Sequence, residues 1–193
     1  MSDRPSAILI GDSICMGYRP LVKQELSEKM EILDIEGNGG DSGNVLQNLD
    51  KWITSREADF IHLNCGLHDL KFHRDVKAHQ QPPEVYEQNL REIVARIQKE
   101  STARLIWAST TPVIDERHNA VKPFDRYIKD VKAYNQIATA IMKEAGVPID
   151  DLYSVIQNDD VEACLVNDGV HMTERGNKLL TDAVCKFLLN ELG

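Results

Sequence analysis

Ala7-Ile8-Leu9-Ile10-Gly11-Asp12-Ser13 is the stretch from which the fold can be worked out. Its four consecutive apolar residues predict a buried strand of a parallel sheet, and the Gly-Asp-Ser that follows predicts a tight turn into a helix. Open α/β sheets bind their ligands at the carboxyl ends of their strands. Ser13 therefore stands where a nucleophile could act, provided that a second residue accepts its proton.

Asp168-Gly169-Val170-His171, far along the chain, contains the best candidate for that base. If this loop curls back on itself, Asp168 can orient the imidazole of His171 while the imidazole takes the proton of Ser13. Each part of this hypothesis is weak when taken alone. Asp-Gly also marks turns, and a Ser or Asp after a strand is as often a helix cap as a nucleophile.

Strand and helix patterns alternate along the rest of the chain, which predicts βαβ crossovers. The expected fold class is therefore α/β, with helices on both faces of a five-stranded parallel sheet. Predicted strands cover residues 7–10, 31–35, 60–64, 104–109 and 147–152, and predicted helices cover 14–30 (strongest from 20), 44–53, 83–100, 124–145 and 173–190. Polar loops are expected at 71–83 and 114–123. No linker or internal repeat divides the chain, so we expect one domain over residues 1–193.

The charge and the termini exclude several classes of function. A net charge of -9 disfavours the capture of nucleic acid or of an anionic membrane. The polar N-terminus and the short apolar run after it predict neither a signal peptide nor a membrane span. Four cysteines without a C-x-x-C pair are typical of reduced thiols. We therefore expect a cytoplasmic protein that acts on a small molecule, with no nucleic-acid partner.

Acyl transfer also needs N–H donors that stabilise a negatively charged oxygen. The backbone N–H of Ser13, at the start of a predicted helix, is one candidate. Gly40, in the tight loop after the second strand, offers another, and a polar side chain between Gly66 and Asp69 could be a third. All three loops lie at the same edge of the predicted sheet.

Four short blocks together resemble those of the GDSL, or SGNH, hydrolase superfamily. They are Gly11-Asp12-Ser13-Ile14, Gly40-Asp41-Ser42, Gly66-Leu67-His68-Asp69 and Asp168-Gly169-Val170-His171, in the family's order and across nearly the whole chain. The resemblance implies a flavodoxin-like three-layer α/β/α fold. It also implies hydrolysis of esters such as acetylated sugars, lysophospholipids, thioesters and short-chain acyl esters.

The resemblance assigns roles to individual residues. Ser13 is the expected nucleophile, His171 the base and Asp168 its orienting carboxylate, with no cofactor or metal required. The N–H groups of Ser13 and Gly40 are expected to bind the oxyanion. His68 occupies the position of the family's oxyanion Asn, and a neutral imidazole of the right tautomer has one N–H to donate. We expect His68 to do so. The residues expected to contact substrate are Asp12, Tyr18, Asp69 and Phe72.

Other interpretations compete with this one. Ser42 follows a strand within a second Gly-Asp-Ser and could be the nucleophile, although we expect it to cap a helix. His68, Asp69 and His73 could hold zinc in a metal-dependent hydrolase, although their spacing matches no established signature. A binding domain that kept the blocks and lost the activity is the third alternative. The α/β-hydrolase elbow fails because Cys15 stands where Gly is required, and a dinucleotide fingerprint fails at Ser42.

The substrate is only weakly indicated. No long apolar loop or lid is visible, which favours a small, acetyl-type acyl group over a fatty chain, with a carbohydrate as one candidate alcohol. A lysophospholipase or thioesterase is the alternative within the family. Basic residues in the loop at 71–83 could favour an anionic or polyhydroxylated substrate, although a solvated loop explains them equally well: Lys71, His73, Arg74, Lys77 and His79.

Overall fold

The sheet follows directly from the apolar runs of the sequence. The computed structural model describes residues 4–192. Its strands are β1 (Ser6–Ile10), β2 (Glu31–Leu33), β3 (Phe60–Leu63), β4 (Phe72–His73), β5 (Ala78–His79), β6 (Arg104–Ala108) and β7 (Ile149–Asp150). Five of them form a parallel sheet in the order β2-β1-β3-β6-β7, and β4 and β5 form a separate antiparallel hairpin. The predicted five-stranded parallel sheet is confirmed.

Helices cover both faces of this sheet. They are α1 (Ser13–Glu25), α2 (Ser42–Gln47), α3 (Pro83–Glu100), α4 (Asp115–Val121), α5 (Ile128–Glu144), α6 (Leu152–Gln157), α7 (Val161–Cys164) and α8 (Glu174–Glu191), with a π-helix at Asp50–Thr54. On one face α1 packs against α8, which also contacts α6 and α7. On the other face α3 packs between α2 and α5. The central strands are consequently buried on both sides, as the uninterrupted apolar run of β1 requires.

Some expected boundaries are corrected. The first helix begins at Ser13 and ends at Glu25 instead of reaching residue 30. It continues through Pro20, so packing against the sheet outweighs the tendency of proline to break a helix. The predicted loops hold the β4–β5 hairpin and helix α4, and α6 and α7 were not foreseen. The expected helix at 44–53 is divided between α2 and the π-helix. These elements are short and polar, so their local sequences carry little periodicity.

The strand order determines where the loops meet. The chain leaves β1 toward β2 on one side and returns to add β3 on the other, so the loops after β1 and β3 diverge at the carboxyl edge of the sheet. This divergence opens the crevice in which flavodoxin-like sheets bind ligands. No helix within residues 4–192 combines the length and the apolar character needed to cross a membrane.

Candidate active site

Ser13 lies at this crevice, in a turn whose conformation is fixed by the two residues before it. A Cβ atom at Gly11 would lie 2.5 Å from the Cβ of Cys15, so glycine is the side chain that the turn accommodates. The Asp12 carboxylate accepts a hydrogen bond of 2.9 Å from the N–H of Ile14 and caps α1. Ser13 is then the first residue of α1, and its N–H has no acceptor within its own helix. Neither its hydroxyl nor its N–H is therefore used to hold the helix together.

Ser13, His171 and Asp168 form a hydrogen-bonded chain. The Ser13 Oγ lies 2.9 Å from the Nε2 of His171, and the Nδ1 of His171 lies 2.5 Å from the Oδ2 of Asp168. A carboxylate accepts the proton on Nδ1, which leaves Nε2 as the acceptor for the serine hydroxyl. This is the arrangement in which a serine becomes a nucleophile.

The Asp168 carboxylate is kept ionised for this task. Burial alone would raise its pKa, but hydrogen bonds from the His171 ring and from the N–H groups of His171 and Val170 lower the pKa to about 2. The loop itself is anchored at Gly169, whose φ is +69° and whose carbonyl accepts from the N–H of Ile114 at 2.9 Å. Asp168 therefore remains charged while His171 exchanges a proton.

The two backbone N–H groups that we expect to bind the oxyanion differ in whether they already have an acceptor. The N–H of Ser13 meets no helical carbonyl, but the N–H of Gly40 donates to the Oδ1 of Asn38 at 2.8 Å. The Gly40 N–H, which we expect to bind the oxyanion, is thus already engaged by a side chain in this structure. Asn38 is exposed, and its side chain has to rotate away before Gly40 can donate to a substrate oxygen.

His68 is held as a neutral donor. The ammonium of Lys71 lies 3.0 Å from the Nδ1 of His68 and can only donate there. Burial and the positive charges of Lys71 and Arg126 lower the pKa of His68 to about 4. A neutral imidazole that accepts on Nδ1 carries its proton on Nε2. His68 therefore has the tautomer that leaves one N–H to donate elsewhere.

Three of the four expected substrate contacts are corrected by burial. Asp12, Tyr18 and Asp69 expose 1%, 1% and 0% of their surface, so none of them can touch a bound substrate. Asp12 caps α1, and Asp69 accepts a hydrogen bond of 2.9 Å from the N–H of Ser42. Phe72 is half-buried, and its ring meets His79 edge-on at 5.5 Å.

Ser42 is fully buried, together with Asp69, the carboxylate to which it donates hydrogen bonds. Its Oγ accepts a hydrogen bond of 2.9 Å from Asn89. The cap of α2 is Asp41 rather than Ser42, because the Asp41 carboxylate accepts from the N–H of Asn44. A buried serine bonded to an amide cannot take the nucleophile's place.

The metal hypothesis does not fit the side-chain positions. His68 contacts Lys71, Asp69 contacts Ser42, and the ring of His73 lies near Phe124 at 6.4 Å. In the part of the chain that the structure describes, no three His, Cys, Asp or Glu side chains converge on a common point. The expected alternative of a His68, Asp69 and His73 site is corrected accordingly.

Arg126 is a site residue that sequence reasoning missed. It exposes 6% of its surface, and its Nε donates a hydrogen bond of 2.7 Å to the carbonyl of Leu67. Its positive charge interacts electrostatically with Asp12, His68 and Asp168. Burial lowers its pKa to about 10. No local motif surrounds this arginine, so the sequence carried no signal that could have singled it out.

A separate cavity of about 810 Å³ lies along β7 between α5 and α6. Its lining includes Lys132, Lys143 and Tyr153, and none of the residues of the Ser13–His171–Asp168 chain. The crevice is the better candidate site, because the hydrogen-bonded chain of Ser13, His171 and Asp168 lies there.

A flavodoxin-like sheet with a Ser–His–Asp chain at its carboxyl edge defines a class of protein, the serine hydrolases of the three-layer α/β/α type. A family description, GDSL-like Lipase/Acylhydrolase, matches residues 9–179. The chain belongs to this family and is an esterase or acylhydrolase of it.

Individual relatives agree with this assignment. A GDSL esterase/lipase of Arabidopsis thaliana is 27% identical over 207 residues, which cover 95% of this chain and 85% of the relative. The crystal structure of a lipase/acylhydrolase from Enterococcus faecalis has a TM-score of 0.82 at 19% identity, covering 97% of this chain and 96% of the other. Axe2, an acetylxylan esterase from Geobacillus stearothermophilus, has a TM-score of 0.74 at 15% identity, covering 96% and 95%. At these identities the two structures support the fold alone.

Proposed function

We propose that this protein hydrolyses small, acetyl-type carboxylic esters through an acyl-enzyme on Ser13. The observation that carries the proposal is the 2.9 Å contact between the Ser13 Oγ and the His171 Nε2, with Asp168 behind the imidazole. His171 takes the serine proton as Oγ attacks the ester carbonyl. It then gives the proton to the departing alcohol, and water attacks the acyl-enzyme by the same route in reverse.

The oxyanion of each tetrahedral intermediate needs donors. We assign this role to the N–H of Ser13, to the Nε2–H of His68 and, after Asn38 rotates, to the N–H of Gly40. Support for His68 comes from its Lys71 contact, which keeps the ring neutral and its proton on Nε2.

The preference for a small acyl group rests on the polar walls of the crevice. Two charged side chains act on residues of the site: Lys71, after β3, on Asp12, and Arg126, before α5, on Asp168. The β4–β5 hairpin is held by an ion pair between Arg74 and Asp125. Acetyl xylan esterases are among the similar solved structures, which supports an acetylated carbohydrate as the substrate class.

The test is hydrolysis of p-nitrophenyl acetate and p-nitrophenyl decanoate by the wild type and by Ser13→Ala, His171→Ala and Ser42→Ala. We expect the first two variants to lose at least about 1,000-fold in kcat. Ser42→Ala, the matched serine control, keeps its activity as long as its melting temperature shows that it is folded. Acetate should be turned over faster than decanoate. Activity that survives Ser13→Ala contradicts the mechanism, and faster decanoate turnover contradicts the acyl preference.

A further inference from the structure

Two cations beside the triad have no carboxylate partner. Lys71 and Arg126 each lie 5.2 Å from the centre of the Phe124 ring, and the charges of both reach His68. Lys71 donates to His68, and Arg126 donates to the Leu67 carbonyl. Within residues 4–192 neither of them forms an ion pair.

The basic side chains around them are neutralised. Arg74 pairs with Asp125, His79 lies 3.1 Å from Asp130, and Arg117 pairs with Glu162. Of the basic loop seen in the sequence, Arg74 and His79 are thus occupied by carboxylates, whereas Lys71 remains unpaired beside Arg126, which comes from the loop before α5. Nearby acidic groups are already engaged.

Asp168 and Asp12 are the carboxylates that interact electrostatically with Arg126. Asp168 is fully occupied by the ring and the backbone of its own loop. Asp12 caps α1 through one oxygen, and its other oxygen has no hydrogen-bond partner, so it does not bond the guanidinium. The positive charge of Arg126 is therefore balanced by carboxylates that do not hydrogen-bond to it.

A buried cation without a partner is unfavourable for folding, and an anion bound from outside supplies the missing charge. The Nε of Arg126 is used by Leu67, which leaves its two terminal amino groups without a protein acceptor. Those groups form the planar edge that matches the two oxygens of a carboxylate. The ammonium of Lys71, at the same 5.2 Å from the centre of the Phe124 ring, adds a further donor.

We infer that Arg126 and Lys71 form a subsite for a carboxylate carried by the ester substrate. This inference rests on the proposed function and narrows its substrate class to esters of acidic alcohols or of dicarboxylic acids. The protein as a whole has a net charge of -9, so a positive subsite makes the electrostatic potential at the crevice differ from that of the rest of the surface. Anionic and neutral esters should therefore differ in how tightly they bind.

Two pairs of esters test the subsite and locate the anion. Meta-acetoxybenzoate and its methyl ester share the acetyl group and differ by a carboxylate on the alcohol side. The p-nitrophenyl monoester of succinate and p-nitrophenyl butyrate differ by a carboxylate on the acyl side. We expect the wild type to prefer the anionic member of one pair by about 10-fold or more in kcat/KM, mainly through KM.

Arg126→Gln is expected to abolish that preference, because its kcat/KM should fall more for the anionic than for the neutral member of the pair. Lys129→Gln, which removes an exposed cation that lies over the Tyr127 ring, is the matched control and should keep the preference. Equal turnover of both members of both pairs by the wild type overturns the subsite. So does an equal loss on neutral and anionic esters in a folded Arg126→Gln, because Arg126 would then serve the oxyanion or the fold.

If Arg126→Gln fails to fold, inhibition of the wild type decides the matter. Benzoate should inhibit hydrolysis of p-nitrophenyl acetate at least about 10-fold more strongly than benzamide does, and equal inhibition overturns the subsite. The two proposals fail differently. Loss of the anion preference with turnover that still depends on Ser13 leaves the esterase mechanism standing, whereas turnover that survives Ser13→Ala removes the mechanism itself.

Discussion

His68 accepts a hydrogen bond from Lys71 on Nδ1, and this contact determines which proton the imidazole can give away. An amide offers N–H groups whatever its neighbours are, but an imidazole offers one only in the matching tautomer. The surroundings also lower the pKa of His68 to about 4, so the ring stays neutral near pH 7. In the mechanism that we propose, Lys71 thereby fixes the tautomer in which a histidine can donate as an amide would.

His68→Asn should therefore keep activity within about 10-fold of the wild type, whereas His68→Ala should lose about 100- to 1,000-fold in kcat, because one oxyanion donor is gone. The measurement is kcat for p-nitrophenyl acetate from pH 5 to 8. His68 gains a proton only near pH 4, so the wild type and His68→Asn should have profiles of the same shape over this range. An unchanged kcat in His68→Ala would show that the side chain is not a donor.

From the sequence one could expect Ser13, His171 and Asp168 to meet, and the structure brings them within hydrogen-bonding distance, but the contacts around them could not be predicted. Ser13, Asp168 and His171 belong to short motifs whose order along the chain limits the possible arrangements. The hydrogen bond between Gly40 and Asn38, and the fact that Arg126 bonds a carbonyl rather than a carboxylate, depend on where side chains point after folding. No spacing along the chain encodes such contacts, so they could be found only in the structure.

Long apolar or amphipathic elements were predicted to within a few residues at most boundaries, and short polar elements were not. Helix α3 matches its predicted range because one face is apolar throughout its 18 residues. Helix α4 has no such face. It is held from outside, since the Asp115 carboxylate accepts from the N–H of Ile128 at 2.7 Å and the Asn119 side chain accepts from the N–H of Arg126 at 2.9 Å. Tertiary contacts of this kind leave no local pattern.

The loop before α8 depends on glycine in a way that can be measured. Gly169 has a φ of +69°, and a Cβ atom there would lie 2.5 Å from the carbonyl oxygen of Ile114. Gly169→Ala should lower the free energy of unfolding by about 2–4 kcal/mol, from the left-handed backbone and the overlap together. It should also lower kcat, because the loop carries both Asp168 and His171. Urea denaturation and p-nitrophenyl acetate turnover measure the two effects.

Gly146→Ala is the matched control for this substitution. Gly146 has a nearly equal φ of +67°, but a Cβ atom there meets nothing within 4 Å. It should lower the free energy of unfolding by only about 1–2 kcal/mol, for the backbone conformation, and should leave kcat unchanged. If the two variants were equally stable and equally active, the contact between Gly169 and Ile114 would not constrain the catalytic loop.

The stability of the whole protein should depend on pH through Asp69. Burial raises its pKa to about 7 from an ordinary value of 3.8, while hydrogen bonds from Ser42 oppose the rise. A carboxyl group with a raised pKa favours the folded state when it is protonated. Its contribution is therefore complete below about pH 4 and is lost as the pH rises through about 7.

Asp69→Asn keeps an oxygen for the Ser42 N–H and cannot ionise. We expect the wild type to lose stability relative to Asp69→Asn by up to about 1.4 kcal/mol per pH unit between pH 5 and 7, and the difference to level off above that. Free energies of unfolding in urea at several pH values measure this difference, in which titrations common to both proteins cancel. A difference that stays constant with pH would mean that Asp69 does not titrate in this range.

Ser13 and His171 are 158 positions apart, and the helices that follow them, α1 and α8, pack against each other. A ribosome therefore makes the nucleophile long before it makes the base. Until the later segment docks, the serine is an ordinary alcohol with no partner to activate it. A chain that ends before Asp168 is therefore expected to show no ester hydrolysis through Ser13.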